Sequence, residues 1–174
     1  MGMDVSGINP TTISEPPPRP DWQTCSDEER DDYFEAKNKY HTENPGVYFR
    51  ANVWSWRPIL EAMWESGACY EIDDKTWELM AFNDGAGAKD AETCKRMAKK
   101  IRVWLQEKIW DEDSRWTPES LDDREMQVND EGQFISKTEA ELKNIETTSP
   151  YQVSKEHLES WCDFLENCGG FEVW

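Results

Sequence analysis

Residues 46–58 read GVYFRANVWSWRP, and the conformation of this stretch decides what the rest of the chain can build around it. Four aromatic side chains (Tyr48, Phe49, Trp54, Trp56) stand there beside Arg50 and Arg57. Rings and guanidinium forks are the parts of stacking and anion-binding surfaces. They also make a core strand with a charged rim. The aromatic composition predicts an extended segment over Tyr48–Trp56. Side chains alternate along a strand, which would put Arg50, Asn52, Trp54 and Trp56 on one face. That face, with Arg57 at its end, would suit a planar anion such as a nucleotide. The competing expectation is a core strand whose arginine pairs with a nearby carboxylate.

Downstream, Pro58 fits the first turn of a helix with Ile59, Leu60, Met63 and Trp64 on one face and Gly67 as its terminator. Tyr70–Ile72 and Trp77–Phe82 read as two short strands around a turn at residues 73–75. Asn83-Asp84-Gly85-Ala86-Gly87 is a turn before a helix, where backbone amides can hold an anion. Asn83, Asp84 and Gly85 therefore join the candidate ligand site, although such a triplet is also a common tight turn. The next helix, over about 91–110, is the clearest in the chain. Cys94, Met97, Ala98, Ile101, Trp104, Leu105 and Ile109 recur at three- and four-residue spacings. Lys95, Arg96, Lys99, Lys100 and Arg102 cover its other side, as a phosphate-binding face or, more simply, an ion-paired one.

Upstream, three consecutive prolines and a fourth at Pro20 make residues 11–21 a polyproline-like linker. Ser26 with Glu29 has capping-box spacing and predicts a charged helix to near Tyr40, with a narrow apolar face at best. Toward the other end, residues 111–135 are acidic and turn-rich. Ser136 with Glu139 opens a short helix to about Glu146. Ser154 caps a last helix with Leu158, Trp161, Cys162, Leu165 and Cys168 on one face, and Val153 is placed to staple Leu158. Gly169-Gly170 ends it before a terminal strand at residues 171–174. The expected fold is a single compact α+β domain, helix-rich with a small, mainly antiparallel sheet. It comprises residues 1–10 and 45–174, with 11–44 inserted as a Pro-rich linker and acidic helix.

The net charge is −18, unevenly spread. Residues 1–44 carry −6, residues 45–110 are neutral, and residues 111–174 carry −12. Phosphate contacts need clustered Lys and Arg, so direct nucleic-acid binding is not expected. Such a field instead favours basic proteins, including those that hold nucleic acid. The plain alternative is that the acidity serves solubility. Five cysteines without a CxxC pair and two distant histidines predict neither a disulfide framework nor a zinc site. No secretory or membrane-spanning run is seen, so a cytoplasmic protein is expected, without a membrane partner. No GxSxG, HExxH, Walker or GxGxxG pattern occurs, and clustered surface carboxylates alone do not make an acid–base pair. The expectation is a non-enzyme with no cofactor.

Four blocks in order, MDVSGINP, GVYFRANVWSWRPI, FNDGAG and FLENCGGFEVW, resemble a family of small uncharacterised bacterial and phage proteins. Its members carry MDVYGxNP, YFRNNVWWWRPL, an NDG turn and a closing FLxxCGGFE segment. The blocks cover about half the chain. Ser6 stands where the family often has Tyr, and Ala51 and Ser55 replace Asn and Trp. The resemblance implies a shared fold and a phage or bacterial origin, and brings no established activity.

Two functions are expected. The first is a phage-encoded, anti-defence (anti-CRISPR-like) inhibitor that occupies the basic surface of a host nucleic-acid-handling or defence protein by charge mimicry. Its contact residues would be Asp27, Glu28, Asp31 and Asp32 in the insertion, and Asp111, Glu112, Asp113, Asp122, Asp123 and Glu125 downstream. The second is a binder that sequesters a nucleotide-type signalling molecule between Trp54, Trp56 and the arginines.

Overall fold

A computed structural model of the chain describes residues 2–110 and 112–174. In chain order its elements are β1 (Gly2–Gly7), α1 (Asp27–Glu43), β2 (Tyr48–Asn52), α2 (Val53–Glu65), α3 (Asp74–Leu79), α4 (Ala91–Glu107), β3 (Arg115–Trp116), α5 (Glu119–Asp122), β4 (Met126–Asn129), β5 (Phe134–Ser136), α6 (Lys137–Lys143), β6 (Thr147–Thr148), β7 (Val153–Ser154), α7 (Lys155–Asn167) and β8 (Phe171–Val173). Helices predominate over three small antiparallel sheets, so the expected α+β class is the one observed.

The principal sheet has the order β2-β1-β8, with β1 in the middle. Val5 faces Phe49 on one side and Val173 on the other. Met3 and Val5 alternate with more exposed neighbours and turn into the core, as one buried face requires. The two remaining sheets are short: β3 with β7, and β5-β4-β6.

Helices α4 and α7 pack against each other beside this sheet. On α4, Cys94, Met97, Ala98, Ile101 and Leu105 are buried, as their spacing predicts. The helix stops at Glu107, and Ile109, placed on the apolar face by the sequence, is 91% exposed. On α7, Ser154 Oγ accepts from His157 N at 3.1 Å, and Val153 and Leu158 are both buried, as a hydrophobic staple requires. Trp161 lies at the centre, against Phe49 of β2, Trp56 of α2, Phe164 of α7 and Phe171 of β8.

Further expectations are corrected. The extended stretch ends at Asn52, whose side chain accepts from Ser55 N at 2.9 Å and caps α2. The cap outweighs the aromatic preference for strand, and Val53–Trp56 form the first turn. Pro58 consequently sits inside the helix instead of opening it. Second, residues 68–82 contain no strand. Ala68–Glu71 form a 3-10 turn after Gly67, and Asp73 caps α3 by accepting from Thr76 N at 3.0 Å. The short helix α6 also ends earlier than expected, at Lys143, where Asn144 adopts the left-handed conformation.

Helix α1 starts with the full Ser26–Glu29 capping box and has no buried residue along its length. Its base is held by Asn44, which is 1% exposed. Asn44 Oδ1 accepts from Ile13 N at 2.7 Å, and Nδ2 donates to Tyr40 O at 2.8 Å and Ser14 Oγ at 3.0 Å. Trp22, just after the linker, packs on Tyr33 and Phe34 of the helix.

Candidate functional site

The strand-to-helix change at Asn52 disperses the residues expected to share a face. Arg50 remains on β2, exposed, with Nε 3.7 Å from Asp4 Oδ1. Tyr48 bonds the same carboxylate; burial and then that bond push its hydroxyl up to about 12. Asn52 is occupied as the α2 cap. Trp56 turns inward, 1% exposed, and donates its Nε1–H to Met80 O at 2.9 Å. An indole held in this way has no free face for a ligand. Trp54 lies on another side of α2, stacked on Phe134 at 5.2 Å and edge-on to Tyr151 at 5.0 Å. Arg57 lies over the Tyr151 ring, 5.6 Å from its centroid. Trp54 and Arg57 thus share a neighbour, whereas Arg50 and Trp56 belong to other surroundings.

The Asn83–Gly87 turn also has internal work. Gly85 N donates to Val173 O at 2.8 Å, and the Trp174 ring lies where a Gly85 side chain would begin. Asn83 Nδ2 approaches Gly2 O at 3.5 Å, and Asp84 is exposed. The head of α4 is capped by Asp90, whose carboxylate accepts from Thr93 N at 2.8 Å. That bond holds its pKa below the ordinary carboxylate value, and the carboxylate takes the place an anion would need.

On the basic side of α4, Arg96 bonds Glu71 at 2.6 Å and Lys100 meets the same carboxylate at 2.6 Å. These two bonds, Arg96 first, hold Glu71 below its ordinary value. Arg102 bonds Glu166 at 2.6 Å and Asp163 at 2.7 Å. The cations are therefore largely consumed within the fold, the simpler of the two readings of this face. Of the five cations on this face, Lys95 and Lys99 have no partner among the described residues.

The acidic candidates are arranged differently. Glu28, Asp31, Asp32, Glu112, Asp113 and Asp122 are exposed and form no ion pair among the described residues. Asp27 pairs with Arg30 at 3.1 Å, Asp123 with Lys137, and Glu125 accepts weakly from Thr138 N at 3.4 Å. Asp111 lies outside the described residues.

Among the described residues no group of histidine, cysteine or carboxylate side chains could hold a metal ion, and no helix is long and apolar enough to cross a membrane. Cys69, Cys94, Cys162 and Cys168 are buried, and burial pushes the Cys162 thiol up to about 12, far from the reactive thiolate range.

Half-buried His157 and the Trp161 indole each keep a buried side-chain nitrogen without a partner among the described residues. The His157 ring stacks on Phe49 at 4.9 Å. Burial lowers its pKa, only partly offset by Glu156. As pH falls through about 6.5, the unfolded chain takes up a proton that the folded protein resists. This contribution is complete above 6.5 and declines below it, toward the lowered folded value. The urea midpoint should therefore fall between pH 7.5 and 5.5, and His157→Phe should flatten that dependence. An unchanged slope in the variant would rule out His157 as its source.

One aromatic group escaped the sequence reading. Trp64, Tyr70 and Trp77, assigned to a core face and two strands, instead gather at the surface between α2 and α3. The pair Asp73 and Thr76, a helix-start signal read as a turn, would have revealed it. Compared with protein-family models, curated proteins and solved structures, the chain matches none.

Proposed function

We propose that the protein is a non-catalytic, phage-encoded interaction protein that occupies a basic, nucleic-acid-binding surface of a host protein by presenting carboxylates in place of phosphates. One observation supports this above the rest: acids and bases are used unequally. Three of the five cations on the basic face of α4 (Arg96, Lys100 and Arg102) are tied into ion pairs, while Glu28, Asp31, Asp32, Glu112, Asp113 and Asp122 are exposed and form no ion pair among the described residues. Surface charges that do not pair internally contribute little to folding and create the long-range field that steers a basic partner. Helix α1 adds to this support. It buries no residue, so Glu28, Asp31, Asp32 and the half-exposed ring of Phe34 are open to another protein. The nucleotide-binding alternative has less behind it, because Trp56 is buried and Arg50 and Arg57 face different neighbours.

The test uses a variant with Glu28, Asp31, Asp32, Glu112, Asp113 and Asp122 changed to their amides. Wild type should capture from bacterial lysate a protein that itself binds nucleic acid, and duplex DNA should displace it. Capture should weaken at least about tenfold between 50 and 300 mM salt, since exposed charges are screened over about 8–10 Å near physiological ionic strength. The amide variant should lose capture while melting at or above the wild-type temperature. Capture that withstands salt, DNA and the six substitutions would sink the proposal.

A further inference from the structure

Two aromatic clusters lie beside the C-terminal half of α2, and one of them already holds a cation. Lys108 Nζ is 4.9 Å from the Trp104 ring centroid and 4.3 Å from that of Trp116. It is also 3.0 Å from Glu65 Oε2, which accepts from Trp104 Nε1 at 3.1 Å. An ammonium over two indoles and beside a carboxylate is a complete cation–π site made from the chain's own residues.

The second cluster has the same kinds of parts. Glu61 and Trp64 come from α2, Trp77 and Glu78 from α3, and together with Leu60 and Ala81 they line a cavity of about 380 Å³. The Trp64 and Trp77 centroids are 6.5 Å apart with planes 31° from parallel, and Tyr70 extends the wall 5.7 Å from Trp64. The two indole rings are too close to sandwich a ligand, and both line the floor of the same cavity. Trp64 is 52% and Tyr70 70% exposed, well above what a core cluster shows.

Glu61 and Glu78 edge that floor, and neither forms an ion pair or side-chain hydrogen bond among the described residues. Arg57, one turn before Glu61, is directed onto the Tyr151 ring. A second depression of about 290 Å³ shares Leu60, Glu61 and Ala81 with this cavity and is lined further by Arg57, Phe82, Leu121 and Arg124. A groove with an acidic aromatic end and a basic end fits an extended chain better than a small compact ion.

We propose that this groove binds a lysine side chain of a protein partner, its ammonium between Glu61 and Glu78 and its alkyl stem along Trp64 and Trp77. The peptide backbone on one side of the lysine would follow α2 toward Arg57 and Arg124, which can donate to its carbonyls. Lysine suits such a floor because its stem covers apolar surface while its head stays near carboxylates. That the lysine belongs to a protein rests on the reading of a basic partner above; the cation site itself does not.

The test follows the indole N–H resonances of the full chain by NMR. The probes are an N-acetylated, C-amidated pentapeptide with a central lysine, the same peptide with norleucine, and n-butylammonium. The Trp64 and Trp77 signals should shift and saturate with the lysine peptide, with at least about tenfold weaker binding of the norleucine peptide. Glu61→Gln with Glu78→Gln should weaken the lysine peptide about tenfold without lowering the melting temperature, and Trp64→Ala should do the same. Equal binding of the norleucine peptide, or no change in the double variant, would overturn the cation site. Binding of n-butylammonium as tightly as the peptide would overturn the peptide as its source. The six-fold amide variant keeps Glu61 and Glu78 and should bind the lysine peptide normally. Capture that survives the six substitutions while the peptide still binds would therefore count against the proposed function alone, and normal wild-type capture without peptide binding against the groove alone.

Discussion

Trp161→Ala is expected to destabilise the protein by about 3–5 kcal/mol, a large share of the roughly 5–15 kcal/mol available to a domain of this kind. The indole is fully buried on α7 and contacts rings from four elements: Phe49 at 4.9 Å, Trp56 at 5.6 Å, Phe164 at 5.3 Å and Phe171 at 5.4 Å. Removing it leaves a void bounded by β2, α2 and β8, which cannot all move inward together because each is held by other contacts. Trp161→Phe supplies the control. Phenylalanine retains much of the ring contact and removes an Nε1–H that is buried without a partner, so its cost should be far smaller. Urea denaturation followed by far-UV circular dichroism would measure both variants. Equal losses would show that ring contact at this position matters less than the geometry implies.

Gly169→Ala is expected to cost about 2–4 kcal/mol through strain and lost hydrogen bonds combined. Gly169 has φ +65°, and an added Cβ would stand 2.1 Å from Asn9 O. The obstacle is backbone and cannot rotate away. Relief would require separating two chain segments joined by the bonds Ile8 N to Gly170 O at 2.8 Å and Asn9 N to Cys168 O at 3.2 Å. Gly132, at φ +76° with open space around it, isolates the conformational part. Gly132→Ala should cost only about 1–2 kcal/mol. If thermal melts rank the two variants equally, the close approach at Asn9 is not the cause.

Where a helix announced itself within one window, the sequence was readable. The three- and four-residue spacing on α4 and the Ser154 cap with its Val153–Leu158 staple needed no information from elsewhere. Asn52 and Asp73 illustrate the opposite case. Each begins a helix through one side-chain bond, to Ser55 N and to Thr76 N, inside segments whose aromatic content favours strand. One such bond contributes about 1 kcal/mol and decided the outcome because the competing preference was comparably weak. Strand β1 was hidden for another reason. Its alternation is short, and its partners lie at residues 48–52 and 171–173.

The candidate site divides along the same line. Which residues are acidic is evident from composition, but their freedom depends on distant cations. Lys137 reaches Asp123, while Asp122 beside it has no such partner. The Trp64, Tyr70 and Trp77 surface became visible only once residues 68–71 and 74–79 proved helical.

The place of β1 in its sheet has a consequence for the order of events during synthesis. Val5 leaves the ribosome long before Val173, one of its two strand neighbours. A nascent chain can pair β1 with β2 early, but the other edge of β1 stays unpaired until residues 171–173 emerge. Such long-range closure slows folding and leaves an open strand edge for the whole interval. A circularly permuted chain that joins residue 174 to residue 2 through a short linker and opens at an exposed loop would make that pairing local. It should fold faster while reaching the same native sheet.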